Sequence, residues 1–428
     1  MKIAMIGAGS VVFCKNLVGD ILSLTEFKGI TLSLMDIDAE RLEVARVVAH
    51  KTALAAGAHP IIEATTDRRA ALAGADFVIN MVQVGGHAST LIDFEIPRKF
   101  GLQFTIADTT GPGGFFRGLR TYPVLEAMCR EMAEVCPNAW LLNYANPMSI
   151  NMRVIAHCGV KRAAGLCHSV QGTINQLCWY MQLNPKDVSF LCAGINHMAF
   201  YLRLEKDGQN LYPRLFDLAG RYDVYNTNKV RFELLKRLGY YVTESSEHNA
   251  EYCPYFMAHG REQMARFDVP VDEYLRRCEK IAREFEQLKA VAFSDQPIPV
   301  NHTQEYAAPI IHAVVTGRPT VVYANMPNDG TISNLPADAI AEAPTTVDQR
   351  GLRFMPVGNL PPQLLGYIQP HLIQHELFIR AVREGRRDHV YQAVMFDPLT
   401  AATLSLDQIV QMCDELIAAH GPLLPKLI

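Results

Sequence analysis

No stretch of about 18 uninterrupted apolar residues occurs in the 428-residue chain, so no membrane-spanning helix is expected. A secretory leader is not expected either. Within Met1–Ser10 the glycines Gly7 and Gly9 break the apolar run at once. An excess of positive charge is also missing: Lys and Arg number 40 against 44 Asp and Glu, a formal net charge of −4, which gives no basic stripe for nucleic acid. The 10 cysteines, at 14, 129, 136, 158, 167, 178, 192, 253, 278 and 413, lack disulfide-framework spacing. A chain of this size needs no staples, and the cytoplasm with its reduced thiols is the expected compartment. No internal repeat or low-complexity tract is present. What remains is 49% hydrophobic and 20% charged, ordinary for an enzyme of small molecules, at a length that suits two interlocked domains.

The first half alternates short apolar runs with helix-like stretches. Runs at Lys2–Ile6, Ile30–Met35, Phe77–Met81, Trp140–Asn143 and Ala163–Leu166 read as buried parallel strands. Between them, Asp38–Ala56 and Gly118–Val135 read as amphipathic helices. Asp38 caps the first, whose Leu42, Ala45, Val48 and Ala49 share one face. This rhythm predicts an α/β fold, a Rossmann-like doubly wound sheet, over residues 1–195. Beyond it, Phe200–Leu204 reads as a strand before a turn at Lys206–Gly208, and Val230–Leu238, Val271–Ala290, Leu372–Glu384 and Leu406–His420 read as helices. Asn325–Gly358, rich in Pro, Asp and Asn, reads as loops with short strands. Residues 196–428 are thus expected to form a second α+β domain on the ligand-binding edge of the sheet.

The strand Ile3–Ile6 runs into the turn Gly7-Ala8-Gly9-Ser10 and then a helix. Glycines there let backbone N–H groups approach a pyrophosphate at the helix N-terminus. The third glycine of the usual fingerprint would fall at Val12, so the motif is incomplete and could equally serve only to turn a strand into a helix. The second strand ends in Asp36, which can accept hydrogen bonds from an adenosine ribose and would repel a 2′-phosphate, favouring NAD over NADP. Gly7, Gly9, Ser10, Asp36 and Asn80, the last at the end of its own strand, are the candidate cofactor contacts.

Four segments place polar groups at ends of predicted strands, where ligands bind in open α/β sheets: Ile106–Gly114, Asn143–Pro147, Gly165–Val170 and Gly194–His197. A thiolate from Cys167 and a ring from the distant His197 can share one metal ion if both loops open on the same edge, but no CxxC or HxxxH spacing accompanies them. From the residues alone three readings stand. Cys167 is a buried thiol, with His168 and His197 ordinary hydrogen-bonded histidines; or these residues hold a metal; or they form a nucleophilic Cys–His pair. The last leaves the dinucleotide turn without a purpose. Thr243–Tyr255 gathers Glu244, Glu247, Glu251, His248, Tyr252 and Tyr255; its composition reads as a solvated loop, its acid–base density as a candidate site.

Taken together, in order along nearly the whole chain, these segments resemble glycoside hydrolase family 4, and Cys167-His168-Ser169-Val170 resembles its α-galactosidase branch. The resemblance implies a lactate/malate dehydrogenase-like architecture, tightly held NAD, a divalent metal (manganese in most members) and a homodimer or homotetramer. It implies a glycoside substrate attacked by oxidation at C3, loss of the C2 proton, elimination of the aglycone, and return of water and hydride. NAD-dependent members of this family stand outside the two-carboxylate scheme of other glycosidases. By position, Cys167 and His197 become the metal ligands, His168 the acid for the departing oxygen, and Asn146 a holder of a sugar hydroxyl. Tyr252 becomes the C2 base, with Asp108 beside it and His248 or Tyr255 as alternatives. Members acting on phosphosugars carry an arginine near the position of Thr90, so an unphosphorylated α-galactoside is expected, with an α-galacturonide or α-glucoside as the nearest rivals. A plain dehydrogenase would instead use Arg117 or Arg120 to clamp a carboxylate and would leave Cys167 idle. A non-catalytic NAD sensor would leave Cys167, His197 and the 243–255 cluster idle.

Overall fold

In the computed structural model, which describes residues 1–428, one twelve-stranded sheet runs through the molecule. Its strands are β1 (Lys2–Ile6), β2 (Thr31–Met35), β3 (Ile61–Thr65), β4 (Phe77–Asn80), β5 (Trp140–Asn143), β6 (Ala163–Gly165), β7 (Ser189–Ile195), β8 (Met198–Lys206), β9 (Gln209–Asn210), β10 (Thr320–Pro327), β11 (Ile340–Asp348) and β12 (Gly351–Phe354). The order is β3-β2-β1-β4-β5-β6-β10-β11-β7-β8-β9, with β12 paired to β11. The first six strands are parallel, in the order of a dinucleotide-binding sheet. The others pair antiparallel. A single residue pair, Asn325 with Gly165, joins the parallel half to the antiparallel half, and another, Glu342 with Gly194, joins β11 to β7. Strands β10 and β11 lie between β6 and β7, and the turns that follow β6 and β7 carry Cys167 and His197 towards each other.

Helices cover both faces, and alternation along β1 shows why. Ile3 and Met5 enter one core with Leu17, Ile21 and Val48, while Ala4 and Ile6 enter the other with Phe116, Leu119 and Phe378. The helix Ala39–Ala55 begins where expected: the Asp38 carboxylate accepts from Glu40 and Arg41 N–H at 3.0 Å each. No helix is long and apolar enough to cross a membrane.

The structure departs from the sequence-based picture, or adds to it, at several points. The Gly-Pro-Gly-Gly segment is the first turn of a helix, Gly111–Val135, not a loop ahead of one at Gly118. Its glycines allow that turn to press on the preceding chain, since a Cβ would lie 2.8 Å from Ala107 O at Gly113 and 2.5 Å from Thr109 C at Gly114. The 325–358 region holds the end of β10, the nine-residue β11 and the short β12, so it carries one longer strand among its loops. The edge strand β3 had no place in the sequence reading, because Ile61–Thr65 is largely exposed and carries no buried run. The expected division at 195/196 falls within the β7–β8 hairpin, where Ile195 pairs with Met198, and strands from both parts belong to one sheet.

Candidate active site and metal centre

The β1 turn is built by backbone. Gly7 and Ala8 donate to Met35 O at 2.9 Å each, and Gly9 N–H donates to Asp36 Oδ2 at 2.7 Å. Gly7 sits at φ +89°, and a Cβ there would come 2.9 Å from the Met81 and Val82 backbone; one on Gly9 would come 2.5 Å from Asp36 Oδ2. Asp36 is thus engaged in shaping the turn, with Oδ1 taking the Asp38 N–H at 3.0 Å. Its carboxylate retains lone pairs for a ribose hydroxyl. Ser10 lines the adjoining cavity and makes no side-chain cap bond to its helix. Asn80 does not reach that cavity: it is fully buried between strands and donates to Asn143 Oδ1 at 2.8 Å. The β4 strand carries it inward, and its neighbours Met81, Val82 and Gln83 line the wall instead.

This cavity, about 340 Å³, runs from Ser10 and Phe13 to Asp108, Asn146, Cys167, His168, His197, Glu244 and His248. All four polar strand-end segments singled out in the sequence contribute to it. At its floor, ligand atoms of Cys167, His197 and Glu244 lie within 4.8 Å of one another. Glu244 arrives because 241–243 runs along β8: Tyr201 N donates to Tyr241 O at 3.0 Å, Thr243 N to Ala199 O at 2.8 Å, and Phe200 bridges Val242. Burial drives His197 down to about 4, so its ring is neutral near pH 7. Burial alone would raise Glu244, but His248, His197 and His168 bring it to about 2. Burial, then Glu244 and Glu342, push the Cys167 thiol well above its usual range. A neutral imidazole, a carboxylate and a thiol held up by nearby negative charge form a donor set that fits a divalent cation, whose charge would favour the thiolate.

His197 Nδ1 is held by the Tyr252 hydroxyl at 2.9 Å and lies 3.2 Å from Thr109 Oγ1. Tyr252, the expected C2 base, is fully buried, with its phenol behind His197, a metal-ligand candidate, and not among the residues lining the cavity. Tyr255 is exposed and equally absent from the wall. Of the three groups considered for that proton, His248 faces the cavity. Its Nδ1 lies 2.9 Å from Ser245 Oγ and 3.3 Å from Glu244 Oε1, and its Nε2 lies 3.9 Å from Asp108.

Asp108 accepts from Asn146 Nδ2 at 3.1 Å and Thr109 Oγ1 at 2.8 Å. Burial would raise its carboxyl, yet Arg117, His248 and His197 hold it below the usual range. The loop bearing it is clamped by Glu251, which accepts the N–H groups of Thr105, Ile106 and Ala107 at 3.0 Å each. The supposed solvated loop at 243–255 is therefore a buried short helix, Ser246–Glu251, whose carboxylates have partners.

His168 stands at the exposed mouth, with Nδ1 3.4 Å from Glu305 Oε1, and that carboxylate raises its pKa. Arg117 lines the wall and donates to Tyr274 at 3.0 Å, while Arg277 pairs with Glu273 at 3.1 Å. Arg120 is unavailable as a clamp. It is fully buried and bidentate to Asp93 at 2.6 and 3.0 Å, with His420 on the same carboxylate. Thr90 is buried and donates to Gly86 O at 3.1 Å. The sequence reading missed Glu244 as a donor, although it lay in the acidic cluster, and gave no sign of Glu305, Tyr274 or Arg277.

A family model described as Family 4 glycosyl hydrolase matches residues 2–183, and one for the Family 4 glycosyl hydrolase C-terminal domain matches residues 192–400. The alpha-galactosidase of Bacillus subtilis (strain 168) is 40% identical, covering 99% of this chain and 99% of its own. The alpha-galactosidase of Rhizobium meliloti (strain 1021) is 32% identical, covering 99% of this chain and 89% of its own. The solved 6-phospho-alpha-glucosidase from gut microorganisms, in complex with NAD and Mn2+, shares the fold with a TM-score of 0.83 at 20% identity, covering 100% of this chain and 99% of that one.

Proposed function

The chain belongs to glycosyl hydrolase family 4, and from that premise we propose that it hydrolyses unphosphorylated α-galactosides of the melibiose type, with NAD and a divalent metal, manganese foremost. One observation carries the reading. A single cavity joins the end of the dinucleotide turn at Ser10 to the Cys167–His197–Glu244 donors, so a sugar between them meets both cofactors. The choice of sugar leans on the two alpha-galactosidase relatives, and the cofactors on the relative solved with NAD and Mn2+.

When bound, NAD supplies reversible hydride transfer at C3 and the cation polarises neighbouring sugar oxygens. The chain's own residues do the rest. The glycines of the β1 turn let a pyrophosphate approach closely, and the first N–H groups of the helix that begins at Val11 face it. Cys167 and His197 hold the cation, and Tyr252 fixes the His197 ring through Nδ1. His248 takes the C2 proton, oriented by Ser245 and Glu244. Asp108 and Asn146, already bonded to each other, receive a sugar hydroxyl. His168, whose pKa is raised by its contact with Glu305, gives its proton to the departing oxygen at the mouth. Of the two cavity arginines, Arg277 is paired with Glu273 and Arg117 is bonded to Tyr274, so a phosphate dianion would meet at most one guanidinium without a carboxylate hydrogen-bonded to it.

A second reading, an α-galacturonidase, draws on Arg117, whose guanidinium lines the cavity with the neutral Tyr274 as its one hydrogen-bond partner. A panel of nitrophenyl α-galactoside, α-galacturonide, α-glucoside and 6-phosphoglycosides, with NAD and Mn2+ supplied, decides among them. The α-galactoside is expected to be cleaved fastest, with 6-phosphoglycosides slower by about 100-fold or more. Preference for the galacturonide would install the second reading. Preference for a phosphorylated sugar would remove both.

A further inference from the structure

We propose that Glu244 is itself a ligand of the metal and is the residue that makes this centre favour manganese over softer ions. The inference rests on the metal-dependent reading above and gives a role to a side chain that the sequence left without one.

Four observations carry it. The donor atoms of Cys167, His197 and Glu244 lie within 4.8 Å of one another, close enough for one ion to touch all three. The imidazole presents the matching edge: with Nδ1 engaged by Tyr252, Nε2 is the free nitrogen, and it lies 3.5 Å from Glu244 Oε2. The carboxylate divides its oxygens between two tasks, because Oε1 stands 3.3 Å from His248 Nδ1 while Oε2 is on the His197 side. Both residues are held at φ +66°, a left-handed conformation that side-chain-bearing residues keep only where the surroundings impose it.

The chemistry explains an otherwise awkward donor set. A thiolate and an imidazole form a soft-to-borderline pair that suits zinc or cobalt better than manganese. A carboxylate adds the hard oxygen that manganese prefers. Glu244 would also link the ion to His248 through its second oxygen, setting the direction of that ring. If the side chain merely oriented His197 or His248, its loss would weaken every ion alike.

The test needs no sugar. The chain, freed of metal by chelator, is titrated with Mn2+ and separately with Cd2+ by calorimetry. Glu244→Gln is expected to lower Mn2+ affinity by ~100-fold but Cd2+ affinity by no more than ~10-fold, while Cys167→Ser reverses that order. Equal losses for both ions, or no loss, would overturn the proposal while leaving the metal-dependent reading intact. An unaltered chain that binds neither ion would remove both together. Should the glutamine variant not fold, the unaltered chain still decides. Broadening of its Mn2+ EPR signal by ¹⁷O-water counts bound waters: on a six-coordinate ion, roughly three or fewer fit three protein donors, and about four contradict them.

Discussion

The two ends of the cavity are built in opposite ways. At the dinucleotide end, Gly7, Ala8 and Gly9 are fixed by hydrogen bonds within one β-α-β unit, from their N–H groups to Met35 O and the Asp36 carboxylate. At the metal end, Cys167, His197 and Glu244 come from three separate segments, and burial with like charge works against them: the thiol is pushed up and the imidazole down to about 4. The first end is local, backbone-made and insensitive to most side-chain changes. The second is long-range, made of side chains and dependent on a cation. A single substitution should therefore disable one end and spare the other.

The largest expected effect is at the metal end. Cys167→Ser should lower glycoside hydrolysis at least ~1,000-fold, through loss of several kcal/mol of transition-state stabilisation. Its NAD affinity should match that of the unaltered chain, as read by titration of intrinsic fluorescence. Loss of both together would mean that the thiol is structural. The converse variant is Gly9→Ala. Its Cβ would sit 2.5 Å from Asp36 Oδ2, so the Asp36 carboxylate must swing away or the turn must shift, and NAD affinity should fall on the order of 100-fold with Mn2+ binding unchanged. An alanine variant that binds NAD normally would show that the cofactor does not use this turn.

The same contrast explains what was legible in the sequence. The strand–turn–helix at Lys2–Leu22, the Asp38 cap and the buried parallel strands follow from neighbouring residues, and they stand in the structure as read. The strand ends bearing Asp108, Asn146, Cys167 and His197 were legible as well, and they do converge. Glu244 and Glu251 were not, because composition alone makes an acid-rich stretch look solvated. Glu251 finds its partners in the N–H groups of 105–107 and Glu244 in His197 and His248, pairings that only the folded chain creates. Sequence order could not choose among Tyr252, His248 and Tyr255 for the C2 proton either, because it cannot tell a side chain that reaches the wall from one held behind it. Strand β3 escaped notice because an exposed edge has no buried run to betray it.

A smaller effect concerns acid. The fully or nearly buried histidines, His197, His248, His371, His375 and His420, all lie beyond the parallel half of the sheet. Burial, with His371 and Arg153 nearby, takes His375 down to about 3. Below its ordinary value near 6.5 the unfolded chain gains a proton that the folded chain refuses, so stability falls as pH drops from 6.5 towards 3 and is untouched by this group above 6.5. Between pH 7 and pH 5 the loss from His375 alone should be about 2 kcal/mol. Denaturant melts of His375→Leu should show a shallower fall by that amount. An identical slope in both proteins would mean that His375 is charged in the folded state.

The most direct test of redox-assisted elimination follows one hydrogen. If His248 removes the C2 proton before the aglycone leaves, C2 of the released sugar must be refilled from solvent. Hydrolysis of melibiose in D2O with NAD and Mn2+ should give galactose carrying deuterium at C2, with no net NADH accumulating. Replacing His248 with Asn should suppress hydrolysis and the exchange together. Released galactose with only its original hydrogen at C2, seen by NMR or mass spectrometry, would contradict the mechanism even if melibiose is cleaved.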